Sequence, residues 1–168
     1  MSAVNSDAPL EPAPSANRDA LAMKVGQSVD EYVIERTLGG GGFGITYLAR
    51  DVNLGLPVAI KEYFPAEVAY RSAQGRVHPL GASTAEQFKW GLDRFIEEAR
   101  TLATFVHPNI VRVLRYFAAN GTAYIVMELV SGRSLKRWQP AHGALDRASL
   151  PSRTSTRPSP SRVRAAGA

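Results

Sequence analysis

The stretch LGGGGFGITY, Leu38 to Tyr47, followed a short span later by VAIK, Val58 to Lys61, decides how this sequence is read. The first part contains G-x-G-x-x-G as Gly39, Gly41 and Gly44. Glycine lets a backbone come close to phosphate oxygens and offers N–H groups with no side chain in the way. Alone, the pattern fits a plain flexible hairpin as well as a phosphate-covering loop. A dinucleotide-binding loop leads from a strand into a helix N-terminus, with an acid about 20 residues on. Here EYVIERTL precedes the glycines and GITYLAR follows them, and both read as strands. No helix end stands ready for a pyrophosphate, so a strand–loop–strand flap remains.

A third strand, LPVAIKEYF, begins after Gly55. Side chains alternate across a strand, so Val58 and Ile60 share one face while Ala59 and Lys61 share the other. A small residue and a cation on one face leave room for a flat base beside a partner for phosphates; an ordinary strand with one solvated lysine has the same pattern. STAEQFKWGLDRFIEEARTLATFV, residues 83–106, is the one strong helical pattern. Ser83 and Glu86 stand in capping-box relation. Phe88, Leu92, Phe95, Ile96, Ala99, Leu102, Ala103 and Val106 follow the spacing of one buried face, and Pro108 ends the run. At 100° per residue Glu98 lies about 95° from the centre of that stripe and Glu97 about 160°. Glu98 is therefore the acid placed to hold Lys61, and Glu97 faces water.

Residues 65–83, broken by Pro65, Gly75, Pro79 and Gly81, read as irregular or hairpin structure. IVRVLRYFAA and TAYIVMELV are two further strands around an Asn120-Gly121 turn. The expected class is α+β: a five-stranded antiparallel sheet with one major helix packed on it. Residues 1–28, rich in Ala, Pro, Ser and Asn, read as a flexible leader, 29–139 as the folded part, and 140–168 as a disordered basic tail.

Composition narrows the function. A chain of 168 residues, 45% hydrophobic, supports one domain with a core. With no cysteine there is no disulfide framework, cysteine zinc site or thiol nucleophile, which fits a reducing, cytoplasmic setting. No apolar run reaches the roughly 18 residues of a membrane span, and the first residues lack the basic start and apolar block of a secretory signal. The net charge of +5 points toward nucleic acid until the chain is divided. Residues 1–150 carry 16 basic and 15 acidic side chains; the last 18 residues add Arg153, Arg157, Arg162 and Arg164 and no acid. The basicity belongs to the tail, and nucleic acid is not an expected partner. His78 and His142 have no companion acids at ligand spacing, His107 reads as a loop-packing or capping residue, and Trp90 and Trp138 read as packing residues. No metal site is expected.

Taken in order, Gly39-x-Gly41-x-x-Gly44, Val58-Ala59-Ile60-Lys61, Glu98, HPNIV and IVMELV resemble the N-terminal lobe of a protein kinase. The likeness is strongest to bacterial serine/threonine kinases, through VAIKEYFP and RFIEEARTLATFVHPNIVRVL, and covers about residues 31–138. It implies a flap, Gly39, Gly40, Gly41, Gly42, Phe43 and Gly44, over the phosphates of ATP, with Phe43 at its tip. Lys61 would contact the α- and β-phosphates and pair with Glu98. Leu38, Thr46 and Ala59 would line the adenine pocket. Met127 matches the gatekeeper, and Glu128 to Val130 match the hinge whose backbone bonds the adenine edge. Thr46 stands where the pattern usually has valine. The 37 residues from Lys61 to Glu98 exceed the usual gap, which makes 65–83 an insert.

The resemblance also implies Mg²⁺ and a protein substrate, but these 168 residues contain neither H-R-D nor D-F-G. The one aspartate after the hinge is Asp146, preceded by Ala144-Leu145, and Pro151 stands where the Mg²⁺-binding asparagine would fall. The chain is expected to be an ATP-binding lobe, catalytically incomplete as written. Its Arg-, Pro-, Ala- and Ser-rich ending suggests a truncation or frameshift. The rival expectation is a kinase-like interaction module in which nucleotide is incidental.

Overall fold

The two glycine-flanked strands and the lysine strand form the centre of one antiparallel sheet in a computed structural model that describes residues 21–132. In chain order the elements are β1 (Ser28–Val29), β2 (Tyr32–Gly41), β3 (Gly44–Asp51), β4 (Pro57–Tyr63), β5 (Ala69–Arg71), β6 (Val77–Pro79), α1 (Ala82–Ala103), β7 (Val113–Ala119) and β8 (Thr122–Glu128). The main sheet runs β1-β2-β3-β4-β8-β7, and every pairing is antiparallel. Five of its strands are those the sequence marks. The sixth, β1, is a two-residue addition at the edge beside β2. β5 and β6 pair as a separate hairpin inside the 65–83 insert.

The sheet curls until its edges meet. Arg115 on edge strand β7 donates to Asp30 at 2.5 Å and also to Glu31, both in the turn joining β1 and β2 at the opposite edge. Tyr32 stacks on Phe117 across the same gap, ring centroids 5.9 Å apart. Right-handed strand twist, accumulated over six strands, supplies the curvature. Register places Tyr47 beside Ile60 and Ile60 beside Val126, and Ala49 beside Val58, so these buried side chains share one face.

The helix covers the other face. Phe88 and Phe95 pack on Tyr63 with centroids 5.2 and 5.6 Å away, and Ala99 is fully buried. Leu92, Ile96 and Leu102 are half-buried against the same core. Gly91 permits this closeness: a Cβ there would lie 2.2 Å from the Tyr63 hydroxyl, which donates to the Phe88 carbonyl at 3.0 Å.

Four details of the helix differ from the sequence expectation. It starts one residue earlier than expected, with Gly81 as its cap. The Thr84 hydroxyl accepts from the Gly81 N–H at 3.1 Å and donates to the Gly81 carbonyl at 3.0 Å. Ser83 thus sits inside the first turn, and the Ser83–Glu86 box does not form. The helix ends at Ala103, a turn short of Pro108, where the Thr104 hydroxyl donates to the Thr101 carbonyl at 2.8 Å. Ala103 is exposed and Val106, 91% exposed, lies beyond the helix, so neither extends the buried face. Trp90 is 63% exposed, with the Arg94 guanidinium over its ring at 5.6 Å. It stands about 140° around the helix from Phe95, so it is a surface residue and not a packing one.

His107 accepts the Asn109 N–H on Nδ1 at 3.1 Å, and His78 stacks on Tyr70 at 5.5 Å. Residues 21–27, assigned by composition to the leader, lie against the sheet: Met23 is buried and its N–H donates to the Tyr47 hydroxyl at 3.1 Å. The described residues through Val130 form one compact unit. Trp138, His142, Asp146, the tail 140–168 and the leader through residue 20 lie outside the described residues.

Candidate functional site

Pairing of β2 with β3 continues to Gly41 opposite Gly44, leaving Gly42 and Phe43 as a two-residue turn. Phe43 projects at the tip, 75% exposed, while its carbonyl accepts the Phe64 N–H at 3.2 Å. Gly44 has the tightest requirement, since a Cβ there would lie 2.2 Å from the Glu62 carbonyl oxygen. At Gly39, Gly41 and Gly42 a Cβ would meet nothing within 4 Å. Those three present bare backbone to open space.

Register assembles the rest. On β4, Lys61 lies between Thr46 of β3 and Ile125 of β8, and Ala59 lies between Leu48 and Met127. Thr46, Ala59, Lys61 and Met127 therefore share one face, the face that carries α1. Lys61 Nζ reaches to 3.7 Å from Glu98 Oε1 and 5.5 Å from the centre of the Phe95 ring. The pair is partly open, 33% and 53% exposed, so its contribution to stability is at most about 1 kcal/mol. Glu97 pairs instead with Arg94 at 2.8 Å on the solvent side. Leu38, Glu128 and Val130 are exposed, and the Glu128 N–H donates to the Arg112 carbonyl at 3.0 Å.

A second polar cluster lies directly behind Lys61. Glu62, the next residue on β4, points to the opposite face and is fully buried. Its Oε1 accepts from Arg71 at 3.0 Å and from the Tyr124 hydroxyl at 2.9 Å; its Oε2 accepts from Arg71 at 2.7 Å and from the Tyr47 hydroxyl at 2.7 Å. Burial, reinforced by the Glu62 charge, pushes the hydroxyl pKa of both tyrosines well above the usual tyrosine range. Burial opposes the charge on Arg71, but its bonds and attraction to Glu62 outweigh that and raise it. The sequence reading missed this cluster, although one signal was present. Glu62 alternates in phase with Val58 and Ile60, and a carboxylate on an apolar face requires a partner.

With this geometry in place, the comparison with known families is decisive: the protein kinase domain matches residues 32–155. The chain belongs to the protein kinase family. It is 32% identical over 124 residues to the serine/threonine-protein kinase PrkC of Bacillus subtilis, an alignment covering 73% of this chain and 16% of PrkC. It is 37% identical over 100 residues to the serine/threonine-protein kinase Pkn2 of Myxococcus xanthus, covering 60% of this chain and 10% of Pkn2. Among solved structures, the apo form of PpkA-294 superposes with a TM-score of 0.69 at 40% identity, over 71% of this chain and 43% of that one. The PknI kinase domain of Mycobacterium tuberculosis shares the fold, with a TM-score of 0.53 at 22% identity. The kinase chain described here thus spans 10–16% of these two curated relatives.

Within this kinase fold the long gap between Lys61 and Glu98 is filled by the β5–β6 hairpin, which lies ahead of α1 and delivers Arg71 to Glu62. No group of three or more His, Asp or Glu side chains converges on a metal position among the described residues. Nor, among those residues, is any helix long and apolar enough to cross a membrane.

Proposed function

We propose that this chain is the ATP-binding lobe of a serine/threonine protein kinase and that the lobe spans 29–139. The observation that carries the reading is the Lys61–Glu98 pair, 3.7 Å apart on the face that also carries Ala59, Thr46 and Met127. The residues fit the nucleotide. Gly39, Gly41 and Gly42 offer backbone N–H groups without side chains, and Lys61 offers a cation held in place by Glu98. Ala59 leaves space for the adenine ring beside Met127, with Leu38 and Thr46 closing the pocket and Glu128 to Val130 presenting backbone to the base edge. ATP supplies the transferable phosphoryl group when bound. Lys61 neutralises oxygens of the α- and β-phosphates, Glu98 orients that ammonium, and the flap with Phe43 at its tip excludes water.

The described residues offer no donor set for Mg²⁺, so no role here runs through the metal. Without H-R-D and D-F-G the 168 residues bind and orient the nucleotide but do not activate a protein hydroxyl. The lack of cysteine supports a cytoplasmic location.

Titration of the 168-residue chain with a fluorescent ATP analogue tests the reading. Saturable binding is expected, weakened on the order of tenfold to a hundredfold in Lys61→Met, the value of one charge-assisted contact. Equal affinity in the two proteins, as an interaction module with incidental nucleotide would give, refutes it.

A further inference from the structure

We propose that Arg71, delivered by the β5–β6 hairpin, is a positioning residue for the Lys61 site, acting through buried Glu62 to fix β4 beneath the flap. The proposal rests on the reading of that site as the nucleotide site.

Lys61 and Glu62 are consecutive on β4 and serve opposite faces, so whatever holds one along the strand direction holds the other. Every acceptor position of Glu62 is taken up by a different element. Tyr47 comes from β3, Tyr124 from β8, and the two outer nitrogens of Arg71 grip both oxygens as a fork. Arg71 is anchored in turn: its Nε donates to the Leu21 carbonyl at 2.8 Å and its Nη1 to the Gly75 carbonyl at 3.2 Å, while Phe64 stacks beneath its guanidinium at 5.0 Å. The hairpin itself is tied down by the Val77 N–H, which donates to the Asn120 carbonyl at 2.7 Å. A buried network with every member satisfied has one low-energy arrangement.

Two links carry that arrangement to the site. The Glu62 carbonyl oxygen occupies the space where Gly44 lacks a side chain, so the base of the flap rests on the same residue that the arginine holds. Leu21, whose carbonyl Arg71 grips, lines a small hollow under the flap with Gly41, Ile45 and Phe64. Removing Arg71 leaves a buried carboxylate with only two hydroxyl partners, and β4 must shift or admit water to relieve it. Either response moves Lys61 relative to Glu98 and the flap. The hairpin therefore does more than fill sequence between the lysine and the helix.

The test uses Arg71→Met, Arg71→Lys and, as a control of matched stability loss, Val29→Ala at the sheet edge. All are compared under conditions where circular dichroism shows the folded state. Two readouts are taken: affinity for the fluorescent ATP analogue, and the acetylation rate of Lys61 relative to exposed Lys89 by mass spectrometry without nucleotide. Expected for Arg71→Met are an affinity loss on the order of tenfold and severalfold faster labelling of Lys61. Arg71→Lys, which keeps the charge but not the fork, should fall between it and the wild type, and Val29→Ala should change neither. An Arg71→Met protein that melts earlier yet keeps wild-type affinity and Lys61 labelling overturns the proposal. If the wild type binds no analogue, the nucleotide reading fails, and the labelling result still decides whether Arg71 positions Lys61.

Discussion

The carbonyl oxygen of Glu62 fills the space beside the α-carbon of Gly44, 2.2 Å from where a Cβ would stand. That contact joins the base of the flap to the lysine strand with no room for adjustment, since the atom in the way is backbone. Gly44→Ala should therefore separate β3 from β4 and lower stability by about 1–3 kcal/mol, the usual cost of overpacking. It should also weaken nucleotide binding. Gly42→Ala, where a Cβ meets nothing within 4 Å, should change stability by less than about 1 kcal/mol. Urea midpoints for the two variants check this; equal midpoints would contradict the close approach.

A similar test lies in the helix. Exchange of an exposed helical glycine for alanine normally stabilises by about 1 kcal/mol. At Gly91 the Cβ would meet the Tyr63 hydroxyl at 2.2 Å and dislodge it from the Phe88 carbonyl. Clash and a lost buried hydrogen bond, about 1–3 kcal/mol together, outweigh the propensity gain. Gly91→Ala should lower the melting temperature, and Gly91→Ala combined with Tyr63→Phe should recover part of the loss.

Much of this was legible because it depends on short-range periodicity. Alternation placed Ala59 with Lys61, and the helical angle separated Glu98 from Glu97, both without tertiary information. What stayed hidden depends on distant partners. The curl of the sheet rests on Arg115 reaching Asp30 and Glu31, a contact no local pattern announces. The 65–83 insert was visible as extra length, but its purpose appears only when Arg71 meets Glu62. Helix ends were misplaced because a threonine inside the first turn capped Gly81 in place of the more familiar Ser83–Glu86 pairing.

The Glu62 cluster sets the alkaline limit of stability. Burial and the Glu62 charge raise the pKa of Tyr47 and Tyr124 in the folded state, and burial raises that of Tyr63. A raised folded pKa leaves stability intact below the unfolded value near 10 and erodes it as pH climbs from there toward the folded value. Each of these tyrosines should cost up to about 1.4 kcal/mol per pH unit above about pH 10. Urea midpoints from about pH 8 to about pH 11 should be flat and then fall steeply. Tyr47→Phe should lower the plateau, because Glu62 loses a partner, and make the alkaline fall shallower. A slope unchanged by that substitution would mean Tyr47 ionises freely in the folded protein.

Phosphoryl transfer makes demands that nucleotide binding does not. The nucleophile must be positioned and deprotonated while metal-held phosphates are aligned with it. Lys61 and the flap address only the phosphate side, and Glu98 is engaged by Lys61 at 3.7 Å. The buried carboxylate of Glu62 faces away from Lys61, with two acceptor bonds on each oxygen. Glu97 is paired with Arg94 on the solvent side of the helix. With H-R-D and D-F-G absent from the 168 residues, no acid in the described site is free to serve as base or metal ligand. Incubation of this chain with labelled ATP, magnesium and a generic protein substrate should therefore transfer no label, even where the analogue titration shows binding. Label that appears in the wild type and vanishes in Lys61→Met, from a preparation free of host kinases, would place the missing base within these 168 residues.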